Sequence, residues 1–578
     1  MSELHKQIED AAIELFGKEF VFREGQQTAI EAIISNVLDG TKHTVLEAPT
    51  GSGKSAVAMI VAYVLYKHYN KKSYILVSDL SLFDQYVKDI LRVHSRAFGY
   101  IKGKENYICN ANGCKVSQST CSLQGKSIMQ LAYGRDGLGC AWTCQYAQEY
   151  VRAVRAPVTL MTYQLYFIQR NYVEDVMFDG KNSNFPKRDL VICDEAHKIC
   201  DICQAHFAPK ISIERPSWMK TIDSCSCSYS WPTAVSEDWR IAILSKIEMS
   251  ATNNELLEAI EEYADYVSKY SDANVIIRRK LEHAKHLSKH DKAALAAGNM
   301  ARQEHCKLED MVAFVHKMKS ADYLVKTTDG DFITINFVLD DMMLKKYFHE
   351  KSKCELLMSA TIGDFSEYAS LTGLDTKSCK GIIMPSTFDF SESPIFCSKS
   401  NRMSVKDKEE SLPSIVEKTI KICEMHSGQR GIIQTGSYDN SKALREKLPR
   451  SILDRCVFYN ENTEKQIALN AYTSKQDAIL VGPTLIEGLN FPDDMCRFQI
   501  CIKVPYAYLG NKYVKKKMEH VAGWYKHDAI MKICQGIGRG VRHEHDWCRT
   551  YILDGCIQNL IEDLKRIPTL KGRLRNVK

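Results

Sequence analysis

One segment of the chain, HTVLEAPTGSGKSAVAMIVAYVL at 43–65, joins an apolar strand, a loop of small residues and a long apolar helix. The loop fits the phosphate-binding pattern, with alanine in place of the usual first glycine. Gly51 and Gly53 allow the tight backbone that turns amide groups toward phosphate oxygens. Lys54 can reach the β and γ phosphates, and the Ser55 hydroxyl can bind Mg²⁺. An accidental glycine-rich turn is the alternative, which the flanking strand and helix disfavour.

A second segment, RDLVICDEAHKI at 188–199, supplies carboxylates at the end of another apolar strand. Asp194 can hold Mg²⁺ through water, and Glu195 is placed to polarise the water that attacks the γ-phosphate. The alternative is a solvated strand end, which the pairing with the loop at Lys54 disfavours. Together the two segments predict hydrolysis of a nucleoside triphosphate, without indicating what the hydrolysis drives.

Length and composition describe an ordinary globular protein. The 578 residues suggest about three to five domains. The formal charge of +6 is compatible with nucleic-acid binding but is too small to indicate it. The amino-terminal segment lacks the apolar core of a signal peptide. The longest apolar run, at 56–66, is too short to span a bilayer and predicts a buried helix. We therefore expect a reducing intracellular compartment (cytoplasm, nucleoid or nucleus), in which the 21 cysteines form no disulfide framework.

Three later segments narrow the class of motor. LLMSATI at 356–362 and AILVGPTLIEGLNFP at 478–492 are apolar strands that run into polar turns. In ICQGIGRGVRHEHDW at 533–547, Gln535, Arg539 and Arg542 have spacings that predict one face of a helix. Such arginines are most often a solvated surface. Here they could instead bring positive charge to the γ-phosphate from a second domain, as arginine fingers do.

The motifs APTGSGKS, DEAH, SAT, IEGLNFP and QGIGRGVR resemble, in this order, those of superfamily-two helicases, and specifically the XPD/DinG-type (Rad3-like) branch. FREGQQTAI at 22–30 is similar to an amino-terminal element near the adenine. YILVSDLSLFDQY at 74–86 is similar to a strand and loop that touches the DNA backbone. MPSTFDF at 384–390 resembles the opening of the second motor domain. The resemblance covers nearly all of the chain except about 205–320. Asn490, where the branch usually has aspartate, departs from the pattern.

The resemblance implies a set of site residues. The expected catalytic residues are Lys54, Asp194, Glu195, Arg539 and Arg542. The expected ATP-binding residues are Arg23, Gln26, Ala48, Pro49, Thr50, Gly51, Ser52, Gly53, Lys54, Ser55, His197, Glu487 and Gln535. The expected Mg²⁺ ligands are Ser55 and Asp194.

Five cysteines fall within 36 residues, at 109, 114, 121, 140 and 144. In the branch that the motifs resemble, an insertion begins Gly-(Lys/Arg)-x-Asn-Tyr-x-Cys and ends Cys-Pro-Tyr. Here KGKENYIC brings Cys109 and CQYAQEY brings Cys144, with Gln in place of the Pro. The resemblance implies a [4Fe–4S] cluster on four thiolates, which are soft ligands suited to iron–sulfur sites. Cys109, Cys140 and Cys144 are three expected ligands, and Cys121 is preferred to Cys114 as the fourth. Zinc and scattered core thiols are the alternatives, although the paired C-x-x-C spacing of zinc sites is missing here.

The expected architecture is α/β, with two RecA-like motor domains and two insertions in the first. The first motor domain is expected at 1–100, 147–205 and 325–380, and the second at 381–578. The iron–sulfur module is expected at 101–146. The segment 206–324 has helical periodicity and matches the position of the branch's helical arch.

The resemblance implies an ATP-dependent DNA helicase that travels 5′→3′ on single-stranded DNA and unwinds duplex or forked DNA in repair, recombination or replication. Expected cofactors are ATP, Mg²⁺ and the [4Fe–4S] cluster; the protein is expected to be a monomer without a membrane partner. A DEAH-type RNA helicase is one alternative, against which the cysteines and the arch position argue. The other is a DNA-bound recruitment protein that uses ATP only as a switch.

Overall fold

The computed structural model describes residues 3–93, 95–123, 143–173, 185–224, 236–281, 287–386, 388–459, 462–483 and 491–576. Its α-helices are Glu3–Phe16, Gln26–Leu38, Lys54–Tyr69, Leu80–Val93, Thr120–Leu123, Gln145–Arg155, Tyr163–Phe167, Ile199–Phe207, Ser217–Ser224, Glu237–Met249, Asn253–Leu281, Lys289–Met318, Asp340–Tyr347, Phe365–Thr372, Lys408–Met425, Tyr438–Lys447, Arg450–Leu453, Asn462–Ser474, Lys512–His520, Trp524–Ile537 and Ile561–Leu564. A π-helix spans Ile168–Val173.

The first lobe is built on a seven-stranded parallel sheet. Its strands, in chain order, are β1 (His43–Glu47), β2 (Ser73–Val77), β3 (Phe98–Tyr100), β4 (Val158–Thr162), β5 (Leu190–Cys193), β9 (Cys354–Ser359) and β10 (Cys379–Ile383). Their spatial order is β10-β1-β9-β5-β2-β4-β3. All five β1 residues are buried, as expected for a parallel sheet that helices cover on both faces.

The apolar run at 56–66 lies in helix Lys54–Tyr69, whose buried residues include Val57 through Val64 apart from Tyr63. This helix packs between the sheet and the amino-terminal helix Glu3–Phe16. The sequence prediction of a buried helix is therefore confirmed. Among the described residues, no helix combines the length and the apolarity that crossing a membrane requires.

The second lobe repeats the architecture. Its strands are β11 (Ile395–Cys397), β12 (Gly431–Gln434), β13 (Cys456–Phe458), β14 (Ile479–Gly482), β15 (Phe498–Cys501), β16 (Arg549–Ile552) and β17 (Leu574–Asn576). All of their recorded pairings are parallel, in the order β13-β14-β12-β15-β16-β11-β17. The predicted α/β class with two RecA-like lobes is confirmed.

Two predicted domain boundaries do not coincide with the boundaries between the observed sheets. Strands β7 (Leu324–Asp329) and β8 (Phe332–Phe337) were expected at the start of the returning first motor domain. They form a separate antiparallel sheet with β6 (Lys210–Ser212), at the base of the helical insertion. A tight turn at Gly330, which has a positive φ, lets β7 and β8 pair with each other rather than with the parallel sheet of the first lobe. The boundary at 380/381 also runs through β10, because this strand pairs with β1 along its whole length.

The two insertions touch each other. Helices Asn253–Leu281 and Lys289–Met318 pack closely against each other and form an arm. At its end, a small apolar cluster contains Ile277, Leu287 and Leu295 from the arm and Leu123 from the cysteine segment. Because both insertions also return to the first lobe, this contact closes a ring of protein.

A buried charged network joins β1 to β9 at the start of each strand. His349 Nδ1 lies 2.8 Å from Glu355 Oε2, and His43 Nδ1 lies 3.0 Å from the same oxygen. His349 Nε2 lies 2.9 Å from the carbonyl oxygen of Thr372. Since both His349 nitrogens face acceptors, His349 is a doubly protonated imidazolium. Burial lowers the pKa of His349, as does the charge of Lys42, but the Glu355 carboxylate outweighs both and raises that pKa overall.

We expect Glu355→Gln to destabilise the first lobe in a pH-dependent way. Burial raises the pKa of Glu355, but His349 and His43 outweigh burial and hold this pKa far below 4.5. The Glu355 contribution is therefore lost as the pH falls below 4.5, and the His349 contribution is lost as the pH rises through its elevated folded pKa. Between these limits, breaking the buried pair costs about 3–5 kcal/mol.

Thermal unfolding of the wild type and Glu355→Gln between pH 5 and about pH 9 measures this effect. The difference between the two proteins is greatest between the ordinary pKa values of the two groups, 4.5 for Glu355 and 6.5 for His349, and narrows toward alkaline pH. A difference that stays constant over this range would contradict the ionised pair.

Candidate active site

The phosphate-binding loop lies between β1 and helix Lys54–Tyr69. Gly51 and Gly53 have φ values of 82° and 77°, in the left-handed region that glycine adopts without strain. A Cβ at Gly51 would stand 2.3 Å from the Phe388 ring of the second lobe, so this position also needs the absence of a side chain. Lys54 Nζ donates to the carbonyl oxygen of Ala48 at 3.3 Å. The lysine head thus lies over the loop where phosphates would bind.

Gln26 holds the phosphate-binding loop in place through hydrogen bonds to its backbone. Its Nε2 donates to the carbonyl oxygens of Ser52 and Gly53, each at 3.3 Å. Its Oε1 accepts the backbone N–H of Arg23 at 3.1 Å. The sequence placed Arg23 and Gln26 near an adenine; the structure places Gln26, nearly fully buried, directly against the loop backbone.

The acidic segment follows β5, as predicted. Asp194 is buried, and its Oδ2 accepts the Tyr86 hydroxyl at 2.8 Å. The backbone N–H of Glu195 donates to Asp194 Oδ1 at 2.9 Å, and the Tyr163 hydroxyl donates to the Asp194 carbonyl oxygen at 3.0 Å. Three neighbouring groups therefore orient Asp194. The sequence analysis did not identify Tyr86 as a site residue, although it ends the quoted motif at 74–86.

The pKa values of Asp194 and Glu195 shift in opposite directions, so the two carboxyl groups can take different roles. Burial, followed by the charge of Glu195, raises the pKa of Asp194 to about 6. Burial also raises the pKa of Glu195, but the charges of Lys54, His197, Lys198 and Arg539 outweigh it and lower that pKa overall. Glu195 is thus an ionised base at neutral pH. Asp194 is a buried carboxylate that a bound cation would stabilise.

His197 connects the acidic segment to the SAT segment. His197 Nδ1 lies 2.7 Å from Ser359 Oγ at the end of β9 and 3.3 Å from Glu195 Oε2. Glu47, at the end of β1, accepts the backbone N–H groups of Ile362 and Gly363 at 2.7 and 3.0 Å. The sequence analysis missed Glu47. A carboxylate at the end of an otherwise apolar strand was the available signal.

One prediction about the arginines is wrong. Helix Trp524–Ile537 ends before Arg539, so Gln535, Arg539 and Arg542 do not share a helix face. Glycines at 536, 538 and 540 weaken the helix at this point, and the chain continues as a loop. Gln535 lies in the last helical turn.

The loop nevertheless brings both arginines to the first lobe. A Cβ at Gly51 would lie 3.5 Å from the Arg542 carbonyl oxygen, so the arginine loop lies close to the phosphate-binding loop. Burial, together with the charge of Arg539, lowers the pKa of Arg542 to about 10, although Asp546 and Glu195 oppose this change. The charges of Arg539 and Arg542 therefore both act on Glu195. Glu487 lies outside the described residues.

The cysteine segment gathers three of the expected ligands. Burial raises the pKa of the Cys144 thiol, and the nearby Cys121 and Cys109 thiols add to this rise. Asn110 Nδ2 donates to the Thr143 carbonyl oxygen at 2.6 Å, which ties the two ends of the segment together. The Cys114 thiol instead donates to Asn112 Oδ1 at 2.9 Å, within its own loop. Cys140 lies outside the described residues. Cys109, Cys121 and Cys144 pack against the same hydrophobic core, and thiols are the donors that an iron–sulfur ligand set requires.

The glycine loop of the first lobe and the arginine loop of the second RecA-like lobe have the arrangement of a two-lobed nucleotide-driven motor. The comparisons agree with this class. A family described as "Helicase C-terminal domain" matches residues 419–565, and one described as "Type III restriction enzyme, res subunit" matches 19–225. Taken with the ordered motifs, these matches support a superfamily-two helicase of the XPD/Rad3-like kind.

Individual relatives are distant. A probable ATP-dependent helicase, MJ0942, of Methanocaldococcus jannaschii is 24% identical over 186 residues, which are 29% of this chain and 27% of the relative. The ATP-dependent DNA helicase CHL1 of Candida albicans is 32% identical over 119 residues, 16% of this chain and 14% of the relative. The matches thus span less than a third of the length of these relatives.

Solved structures share the fold. S. tokodaii Xpd4 aligns with a TM-score of 0.57 at 14% identity, covering 96% of this chain and 100% of that chain. A structure titled XPD_Helicase aligns with the same TM-score and coverage at 16% identity. At these identities the likeness concerns the fold.

Proposed function

We propose that the protein is an ATP-dependent DNA helicase that translocates 5′→3′ along single-stranded DNA and unwinds duplex or forked DNA. The observation that supports this most is the cleft, where the loop of Arg539 and Arg542 in the second lobe comes close to Gly51 of the first and both arginine charges act on Glu195. A motor needs such a contact, because it makes hydrolysis depend on the relative position of the lobes.

The chain's own residues account for the hydrolytic step. ATP binds with its phosphates on the 48–55 loop, where backbone amides and Lys54 compensate their charge. Glu195, ionised at neutral pH, accepts a proton from the attacking water as the water bonds to the γ-phosphorus. The bond from that phosphorus to the β–γ bridging oxygen breaks, and ADP leaves. Arg539 and Arg542 stabilise the charge that develops on the γ-phosphoryl oxygens.

Mg²⁺ fits the donor set at this site. Asp194 is a buried carboxylate with a raised pKa, and a bound cation would stabilise its charged form. Ser55 and Asp194 would hold the ion, which would neutralise negative charge on the phosphates.

The closed ring of the two insertions supports duplex separation by strand passage. Leu123 joins the cysteine segment to the arm, and both return to the first lobe. A strand drawn through such a ring cannot remain paired with its complement. The proposed direction and the preference for DNA rest on the family resemblance.

Strand displacement on duplexes with a 5′ or a 3′ single-stranded tail tests the proposal. We expect ATP-dependent displacement of the 5′-tailed substrate, and ATP hydrolysis stimulated by single-stranded DNA more than by RNA. Stimulation by RNA alone would favour the RNA helicase. DNA-stimulated hydrolysis without displacement of either substrate would favour the recruitment protein.

The domain assignment and the iron–sulfur module remain part of the proposal. Cys109, Cys121, Cys140 and Cys144 would hold the cluster, which would stabilise the fold of the cysteine segment. The module has only 36 residues from Cys109 to Cys144 inclusive, which is too small to keep a core without such a cross-link.

We expect anaerobically purified protein to be brown and to contain about four irons per chain. Cys144→Ser bleaches it, because a serine hydroxyl is a poor ligand for iron in such clusters. Hydrolysis of ATP on single-stranded DNA then persists in part, since the lobes have separate cores, while unwinding collapses. Metal and acid-labile sulfide analysis, followed by both assays, measures these effects.

Cys114→Ser is the matched control, because the Cys114 thiol is hydrogen-bonded within its own loop and the colour should remain. Stoichiometric zinc without iron or sulfide would remove the cluster from the proposal. Wild-type unwinding by Cys144→Ser would remove the mechanical role of the module.

A further inference from the structure

A buried ion pair joins the two lobes away from the nucleotide loop. Lys517 of helix Lys512–His520 contacts Asp340 at the start of helix Asp340–Tyr347. The two residues are 2% and 6% exposed, respectively. Lys517 Nζ also lies 4.5 Å from the Trp524 ring centroid and 5.5 Å from that of Tyr513. The lysine is thus enclosed by a carboxylate and two aromatic faces.

Each partner compensates the charge of the other. Burial lowers the pKa of Lys517, but Asp340, Tyr513 and Asp201 outweigh it and raise that pKa well above its usual value. The second oxygen of Asp340, Oδ1, is buried and has no hydrogen-bond partner among the described residues. Removal of either charge alone would leave the other buried without compensation, which is strongly unfavourable.

Helix Trp524–Ile537 links this ion pair to the nucleotide site. At its start, Trp524 lies against Lys517, and just beyond its end, a Cβ at Gly538 would lie 4.0 Å from Thr50 Oγ1 of the phosphate-binding loop. Its 14 residues span about 20 Å at 1.5 Å per residue. A small rotation about the ion pair would therefore displace the Arg539–Arg542 loop at the far end.

The interface beside the ion pair is loosely filled. A cavity of about 240 Å³ lies between the lobes, lined by residues that include Asp340, Tyr368, Trp524 and Met531. Nearby, His527 Nδ1 lies 3.4 Å from Glu367 Oε2. The helix therefore has space to shift on this side without losing a packed core.

We propose that the Lys517–Asp340 ion pair is the pivot of the cleft. It holds the lobes together at one edge while the opposite edge opens and closes around the nucleotide. Lys517 and Asp340 are positioning residues, which set where Arg539 and Arg542 stand relative to the γ-phosphate and do not touch it. The proposal rests on the proposed ATP-driven motor function.

Kinetics of Lys517→Met, Asp340→Asn and the double variant test the pivot. Because the loop at the far end of the helix loses its position, each variant lowers kcat for DNA-stimulated hydrolysis by about 10–10²-fold. The KM for ATP stays at the wild-type value, since the phosphate-binding loop is intact. The double variant removes the uncompensated charge and recovers thermal stability, yet its kcat remains low.

Lys526→Met is the matched control, because Lys526 lies on helix Trp524–Ile537 and pairs with Asp563 within the same lobe. It should hydrolyse ATP as the wild type does. Hydrogen exchange provides a readout independent of activity: Lys517→Met raises exchange in Lys512–His520 and Asp340–Tyr347, whereas Lys526→Met does not.

The outcomes separate the two proposals. Wild-type kcat in Lys517→Met, or recovery of kcat in the double variant, overturns the pivot. Unchanged exchange in both helices overturns it as well. A wild-type protein that hydrolyses no ATP overturns the motor function instead, and the exchange experiment still reports whether the ion pair joins the lobes.

Discussion

Arg542→Ala and Arg539→Ala each lower ATP hydrolysis by about 10³-fold or more, the range known for arginines that act on a γ-phosphate. Nucleotide binding changes far less, because the phosphate-binding loop belongs to the other lobe. The physical reason is the charge of the two side chains, which acts on Glu195 from the second lobe. Single-turnover hydrolysis and equilibrium binding of a fluorescent ATP analogue measure the two effects separately.

Arg450→Ala is the matched control, since this arginine of the second lobe is 89% exposed. It should hydrolyse ATP at the wild-type rate. A structure with a bound ATP analogue in which both guanidinium groups of Arg539 and Arg542 point into bulk solvent would contradict their assignment.

Glu195→Gln lowers hydrolysis by about 10²–10⁴-fold while ATP still binds. The amide has nearly the same shape as the carboxylate but cannot accept the proton of the attacking water. Lys54→Ala abolishes both turnover and unwinding, because the 48–55 loop loses its only side-chain cation for the transferred phosphate. Steady-state hydrolysis with single-stranded DNA, and ATP binding by calorimetry, measure these changes.

Lys421→Ala, at a lysine that is 67% exposed in the second lobe, controls for loss of a positive charge. The low pKa of Glu195 adds a further expectation, that the base stays ionised across the neutral range. Near-normal turnover in Glu195→Gln or Lys54→Ala would remove the roles given to them.

The sequence located the site residues better than it described their surroundings. It placed the 48–55 loop and the Asp194–Glu195 pair after apolar strands, and both lie at the ends of β1 and β5. It misjudged the arginine segment, because spacings of four and three residues suit a helix while glycine at 536, 538 and 540 favours its end. It also began the second lobe at 381, within β10.

What the sequence determined alone is the chemistry that a few consecutive residues carry. A strand, a glycine turn and a helix are local, so the pattern around Lys54 predicts phosphate binding before any tertiary contact is known. Tertiary structure decided everything that joins distant segments. Gly51 meets Arg542, and Lys517 pairs with Asp340, 177 positions away in the chain. Such contacts follow from sheet order and lobe packing, which depend on the summed burial of many side chains and leave no mark at any single position.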